Sequence, residues 1–445
     1  MTTGPTEAKI DFQAVAERAL ALSRQLIAID TSGPPDFEAP AARLVAQRLI
    51  EAGLQVEVCE AQPKRTSVVA RLPGRRSRGP LLLHGHLDVV PADASSWSHR
   101  PFAADLADGY LWGRGALDMK AVVACQVESL IALCELGLEP SGDLIVACVA
   151  DEENGGDLGA GWLVQNRPDL VTAEYAVGEF GGYTKRFWGR TVYLVQVAEK
   201  GLCRMRLSIR GISGHASMPL RGGAVGRLGE ALTRLDRQRL PLHRTGAVEV
   251  FLKGLAKISD AEVSASLIRL LDAKLGDGVL DAMGSQSRLF EAILRNTAVP
   301  TVISASPQIN LIPEQVEVIV DGRLLPGQRL ADMKAEVADL LGPEVEIAPL
   351  QVFDGASAPL GDFYGLLAAL LTEMDSDAVV LPYLTPWSTD AKHFARLGAT
   401  CYGFSPMQLD SASDLISGLH SVDERIPVAC LRFCVEGLLR LMLRY

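Results

Sequence analysis

Residues 81–91 read LLLHGHLDVVP. The apolar start and the alternation after it predict a strand, and a period of two places His84, His86 and Asp88 on one side of it. Two imidazoles and a carboxylate at the end of an apolar strand need partners, because burying polar groups without compensation is costly. The flanking sequence keeps the same rhythm. Residues 11–29 and 37–53 have helical apolar spacing, the first through Phe12, Val15, Ala19, Leu22 and Leu26. β-rich segments follow at LQVEV (54–58), SVVARL (67–72) and DLIVACVA (143–150), with a helix near 119–136 before the last. This alternation predicts an α/β fold, a mainly parallel sheet flanked by helices, with the functional residues where strands end.

Near residue 192 the pattern changes. Long alternating strands in VYLVQVAEKGLCRMRLSIRG (192–211), a helix near 222–237, strands around VEVIVDGRLL (316–325) and a helix at 331–341 predict a compact α+β unit inserted into the first domain. The expected division is residues 1–191 and 354–445 for one domain and 192–353 for the inserted one, with a helix-rich insertion at about 240–306. A chain of 445 residues, 48% of them hydrophobic, is long enough for such a two-domain arrangement.

The amino terminus lacks a basic flank leading into an apolar core, and no uncharged apolar run approaches a membrane span, so a soluble, unexported protein is expected. Eight cysteines stand singly at 59, 125, 134, 148, 203, 401, 430 and 434, the usage of reduced thiols in the cytoplasm. A net charge of −11 argues against nucleic-acid or membrane partners.

Further polar residues cluster at predicted strand ends and turns. GRGALDMK (113–120) brings a glycine-rich turn to Asp118, which by itself reads as a helix cap. The strand LIVACVA opens into Asp151, Glu152, Glu153 and Asn154; Glu179 follows another strand in AVGEFGG; His420 lies in GLHSVDERIP. Carboxylates converging on one site raise each other's pKa unless cations sit among them. Nitrogen and oxygen donors without thiolates suit a catalytic divalent metal, zinc first, although cobalt and manganese fit overlapping ligand sets. The number of donors suits two ions bridged by one carboxylate at a spacing of about 3.5–4 Å.

In this order, LLLHGHLDVVP, GRGALDMK, VADEENGG, GEFGG, GISGHASMP, NLIP with VDGR, STDA and LHSVDERIP resemble the co-catalytic zinc metallopeptidase family that includes aminoacylase-1, glutamate carboxypeptidase and succinyl-diaminopimelate desuccinylase. The resemblance runs from about residue 15 to the end and is weakest in the 240–306 insertion. It implies that His86 and Glu179 hold one zinc, Glu153 and His420 the other, and that Asp118 bridges them, with a cis peptide from Asp118 to Met119. It implies that Asp88 orients His86 through its far nitrogen and that Glu152 is the general base. His84 keeps no such role and reads as a packing or hydrogen-bonded residue. The inserted domain is expected to be a ferredoxin-like lid and dimerisation domain. From it His215 would stabilise the oxyanion in the partner subunit's site, while Asn310 and Arg323 would hold a substrate carboxylate. Thr389, after Trp387 and Ser388, joins them as a substrate-binding candidate; Trp387 and Phe180 are aromatics where relatives commonly have glycines.

The implied activity is hydrolysis of the amide bond of a small peptide or N-acyl amino acid with a free carboxylate, by a homodimer. C–N hydrolysis or deamination of an amino-aromatic acid is the alternative on the same fold. A catalytically silent metal-binding scaffold is the alternative from another class, disfavoured by the presence of Glu152 beside all five ligands.

Overall fold

Strand Leu81–His86 sits inside a sheet ordered Gln55–Gln62, Arg65–Leu72, Leu144–Val149, Leu81–His86, Tyr175–Gly178, Thr400–Gly403 and Arg190–Glu199 in a computed structural model of the chain. The structure describes residues 7, 10–34, 37–284, 287–410 and 415–445. Leu81–His86 pairs in parallel with both neighbours, and Thr400–Gly403 pairs in parallel with Tyr175–Gly178. The strands Gln55–Gln62 and Arg65–Leu72 close one side in antiparallel fashion.

Every residue of Leu81–His86 and Leu144–Val149 is buried, as expected of strands covered on both faces. On one face Leu82, Ile145, Ala147 and Val149 meet Leu163, Val164 and Phe394. On the other, Gly85 leaves room for Met119 and Val123 at the start of helix Lys120–Glu135. That helix is buried on all sides from Lys120 to Leu133, which explains why its apolar residues do not form a single stripe. Its one internal acid, Glu128, is paired with the Nε atoms of Arg18 at 2.8 Å and Arg48 at 2.7 Å. Both arginines project from helices predicted by periodicity, Phe12–Ile27 and Ala39–Glu51.

The chain divides into two compact units. The first comprises residues 1–197, 358–383 and 389–445; the second comprises 198–357 with 384–388. The second unit is built on an antiparallel sheet ordered Thr297–Ser304, Gln315–Leu324, Gly201–Arg210 and Val345–Phe353. Alternate residues Val316, Val318 and Val320 point into a core with Met205, Leu207 and Ile209, closed by Leu228 and Ala231 of helix Ala224–Arg237 and Met333 and Val337 of helix Leu330–Leu341. The helix-rich insertion holds Gly246–Ile258, Ala261–Arg269, Gly276–Met283 and Ser287–Leu294. Its expected final segment is instead the edge strand Thr297–Ser304, whose β-branched residues pair with Gln315–Leu324. Among the described residues no helix is long and apolar enough to cross a membrane.

One close backbone approach supports the loop that carries Glu152. A Cβ built on Gly159 would lie 1.8 Å from the Ala150 carbonyl oxygen. Gly159→Ala is therefore expected to lower stability by about 2–3 kcal/mol, read by urea unfolding of the metal-free protein. A loss under about 0.5 kcal/mol would show that the loop yields freely.

Candidate metal centre

The parallel strands deliver side chains to one edge of the sheet, since the carboxyl ends of neighbouring parallel strands lie together. His86 ends its strand, Asp151 to Glu153 follow Leu144–Val149, and Glu179 follows Tyr175–Gly178. Asp118 is presented by the turn before helix Lys120–Glu135, and its peptide bond to Met119 is cis. His420 comes from a loop near the carboxyl terminus in a left-handed conformation, φ 56°.

The two oxygens of Asp118 face different histidines. Oδ1 lies 2.9 Å from His86 Nε2, and Oδ2 lies 3.3 Å from His420 Nε2. His420 Nε2 also lies 3.1 Å from Glu153 Oε2, and His86 Nε2 lies 3.5 Å from Glu179 Oε2. The other four residues that the resemblance nominates as ligands therefore converge around Asp118. Donor atoms of His86, Asp118 and Glu153 all fall within 4.8 Å of one another, as do those of His86, Glu152 and Glu179.

Asp88 differs from the expectation in detail. The strand ends at His86, and the period-two continuation to Asp88 is lost. His86 Nδ1 is 2.8 Å from the Asp88 backbone carbonyl, while the nearest Asp88 carboxylate oxygen is 3.7 Å away. The carboxylate instead accepts from the backbone amides of Glu152 at 3.1 Å and Glu153 at 3.0 Å. One residue thus orients the imidazole through its main chain and the two acids through its side chain. Asp151, left-handed at φ 69°, pairs with Arg65, which also reaches the buried Glu38 at 3.2 Å. His84 is a packing residue: its ring lies 4.9 Å from Phe394, and the absence of a Cβ on Gly178 makes room for it. Burial pushes it down to about 3, so it is neutral.

Charge is crowded here. Burial, with the charge of Asp118 adding to it, pushes Glu179 up to about 8 although His86 opposes the shift. Burial and then the charge of Glu179 also hold Glu152 well above the usual carboxylate range. Burial disfavours a charged His86, but Asp118 and Glu179 outweigh it and raise its pKa. Hydrogen bonds to Asp118 and Glu153 push His420 up to about 10. Glu153 Oε1 and Glu179 Oε2 are buried without a hydrogen-bond partner among the described residues. Three acids, two imidazoles and no thiolate, with orphaned oxygens between them, fit divalent cations.

The remaining candidates are placed as follows. His215 is exposed in the second unit, on the two-residue strand Gly214–His215 that pairs with Leu311–Ile312. The Asn310 carbonyl accepts from the Ala216 amide at 3.0 Å, so Asn310 and His215 are neighbours in that unit. Arg323 is engaged within its own strand, its Nε 2.6 Å from Asp321 Oδ1. Thr389, in the first unit, is buried and its Oγ1 accepts from the Ala391 amide at 3.2 Å, at the start of the short helix Ala391–Phe394.

Sequence reasoning missed Asp390, inside the quoted STDA. It is buried, and both of its carboxylate oxygens lack a hydrogen-bond partner among the described residues. It lies against Gly156, where a Cβ would come within 2.0 Å of Oδ1. His393 Nε2 meets the adjacent Gly155 carbonyl at 2.9 Å, so this helix grips the loop behind Glu152 and Glu153. Glu424, inside the quoted LHSVDERIP, was missed as well; it is buried and bonded to the Asp118 amide. An acid within a site motif was the available signal for both.

Residues 82–444 match the family model described as peptidase family M20/M25/M40, and the chain belongs to that family. It is a hydrolase acting on amide bonds. It is similar to the N-fatty-acyl-amino acid synthase/hydrolase PM20D1 of Xenopus tropicalis, 28% identical over 82% of this chain and 72% of that protein. It is also similar to a probable carboxypeptidase S-like 2 of Dictyostelium discoideum, 28% identical over 78% of this chain and 68% of that one. Human carnosine dipeptidase 1 shares the fold with a TM-score of 0.68 and 17% identity, covering 97% of each chain. The resemblance read from the motifs is borne out at the level of family and fold.

The folded-state pKa of His420, about 10, lies above its ordinary 6.5. Its pairing therefore stabilises the metal-free protein fully below pH 6.5 and is lost as pH rises through about 10. In chelator-stripped protein, the stability difference between wild type and His420→Ala should shrink across that window in urea titrations. A difference that grows with pH there contradicts the assignment.

Proposed function

We propose that the chain is a two-metal amidohydrolase, with zinc the first choice of ion, that releases an amino acid from an N-acyl amino acid or small peptide bearing a free carboxylate. The observation that carries this reading is Asp118 turning one oxygen to each histidine, which suits a bridging carboxylate. His86 and Glu179 would hold one ion, Glu153 and His420 the other. A bound pair of divalent ions supplies charge that acidifies water towards a pKa of about 7 and polarises a carbonyl.

The chain's own residues do the rest. Glu152, beside His86 and Glu179, takes the proton from the attacking water and returns it to the departing nitrogen. Asp88 keeps that base in place through the backbone amides of Glu152 and Glu153. His215 donates to the developing oxyanion. Its Nδ1 accepts from the Ser217 amide at 3.2 Å, so in the neutral ring the proton resides on Nε2. Arg323, oriented by Asp321, and Asn310 receive the substrate carboxylate, and Thr389 lines the substrate site. The relatives named above as an N-fatty-acyl-amino acid hydrolase and a carboxypeptidase support substrates of this class.

The second unit serves as lid and as dimer contact. Its edge strand Thr297–Ser304 exposes Val299, Val302 and Ile303, a surface that strand pairing with a second copy would cover. His215 then acts in the partner subunit's site. Eight cysteines, none of them in a disulfide among the described residues, favour a reducing compartment such as the cytoplasm.

Glu152→Gln should lower kcat by about 10²–10⁴-fold on N-acyl amino acids or dipeptides, with metal content by elemental analysis unchanged. Full activity in this variant sinks the proposed base. Blocking the substrate's carboxylate as an amide should raise KM sharply, and chelation should abolish turnover until metal is restored. Mixed dimers of Glu152→Gln and His215→Ala subunits should regain about one working site per dimer. Demonstrated subunit exchange without recovered activity would rule out His215 acting across the dimer.

A further inference from the structure

The strand Arg425–Pro427 pairs with Tyr110–Trp112, Arg425 opposite Trp112. The Gly113 amide extends this pairing by donating to the Glu424 carbonyl at 2.9 Å. That register brings the Glu424 side chain to the 113–118 turn that presents Asp118. Glu424 Oε1 accepts from three donors of the turn, the amides of Gly115 at 3.1 Å, Leu117 at 2.7 Å and Asp118 at 3.1 Å. Gly115, at φ 88°, supplies the left-handed step that lets the turn curl around the carboxylate.

The other oxygen, Oε2, receives Arg114 Nη1 at 2.6 Å. Arg114 Nη2 reaches on to the His420 carbonyl at 3.3 Å, and the Trp97 ring lies over the guanidinium at 5.1 Å. Glu424 is 1% exposed, so water does not compete for these bonds. One buried carboxylate therefore ties the backbone of Asp118 directly, and that of His420 through Arg114.

The two histidines differ in what else holds them. The His86 side chain is 1% exposed, at the end of a paired strand, with its Nδ1 bonded to the Asp88 carbonyl. The His420 side chain is 51% exposed and stands on a loop. The bond from Arg114 links that loop to the Asp118 turn. Loss of this link leaves His420 to be ordered when an ion binds, and that ordering entropy is subtracted from affinity.

We propose that Glu424 and Arg114 are positioning residues that set the affinity of the metal position formed by Asp118, Glu153 and His420, while the position of His86 and Glu179 keeps its own supports. This rests on the two-metal reading given above. The test is a zinc titration of chelator-stripped protein by calorimetry, with bound metal counted by elemental analysis and melting of the stripped protein followed in parallel. Wild type should take two zinc ions per chain. Glu424→Gln keeps an oxygen for the turn's amides, and so for Asp118, but loses the Arg114 pair; it and Arg114→Lys should therefore each weaken one of them about 10–100-fold, leave the other near its wild-type affinity, and leave the fold of the stripped protein intact. His420→Ala should weaken the same ion, and adding Glu424→Gln to it should cost little more. Wild-type affinity for both ions in the two variants overturns the proposal, as does equal weakening of both ions or full additivity with His420→Ala. Should Glu424→Gln fail to fold, Arg114→Lys decides by the same criteria. Two zinc ions without hydrolysis of any amide would defeat the functional reading and leave this one standing; fewer than two ions in wild type defeats both.

Discussion

Asp118 shares its carboxylate between two histidines that lie more than three hundred residues apart in sequence, and the surrounding structure serves to keep that arrangement. A short carboxylate has few ways to face two imidazoles at once. Its backbone must be fixed, and both rings must arrive from opposite sides. The strand Leu81–His86 brings one ring, the carboxyl-terminal loop brings the other, and the turn before helix Lys120–Glu135 holds the acid between them. Glu153 and Glu179 complete a group of acids whose mutual repulsion is relieved only by positive charge.

The parallel sheet makes this concentration of charge feasible. Side chains at the ends of neighbouring parallel strands meet at one edge without needing long loops. The segment after Leu144–Val149 and the turn that presents Asp118 are then locked by polar groups that lie just behind them. Asp88 holds the amides of Glu152 and Glu153, Arg65 pairs with Asp151, and Glu424 fills the turn beneath Asp118. Burial makes such bonds strong when satisfied and costly when broken, so the acids are held in place before any ligand arrives. The second unit is a separate antiparallel sheet with its own core, and it carries His215 on a two-residue strand paired with the distant segment Leu311–Ile312.

Much of this was legible in the chain. Apolar periodicity located the helices Phe12–Ile27, Ala39–Glu51 and Ala224–Arg237 and the central strands, because burial on one side imposes a repeat of 3.6 or 2 on nearby residues, while Lys120–Glu135, buried all round, was read only as a helical run after the 113–118 turn. Asp118 and the four residues that gather around it were nominated by the family resemblance of the short motifs in which each stands, at a strand end or turn. The reading of Thr297–Ser304 as part of a helical stretch failed because β-branched edge strands have no strong signal until their partner is known.

Other features were decided by tertiary structure alone. Composition and spacing could name Asp88 but not say that its carbonyl, rather than its carboxylate, would meet His86, since that depends on where the strand stops. Nor could they assign Glu424 and Arg114, or reveal that the Asp390 carboxylate would be buried with no hydrogen-bond partner among the described residues. The sequence determined which elements form and which residue types stand at their ends, because those follow from local periodicity and turn chemistry. Hydrogen-bond partners were settled only by the fold, because they depend on orientations to within a fraction of an ångström between segments that the chain itself keeps far apart.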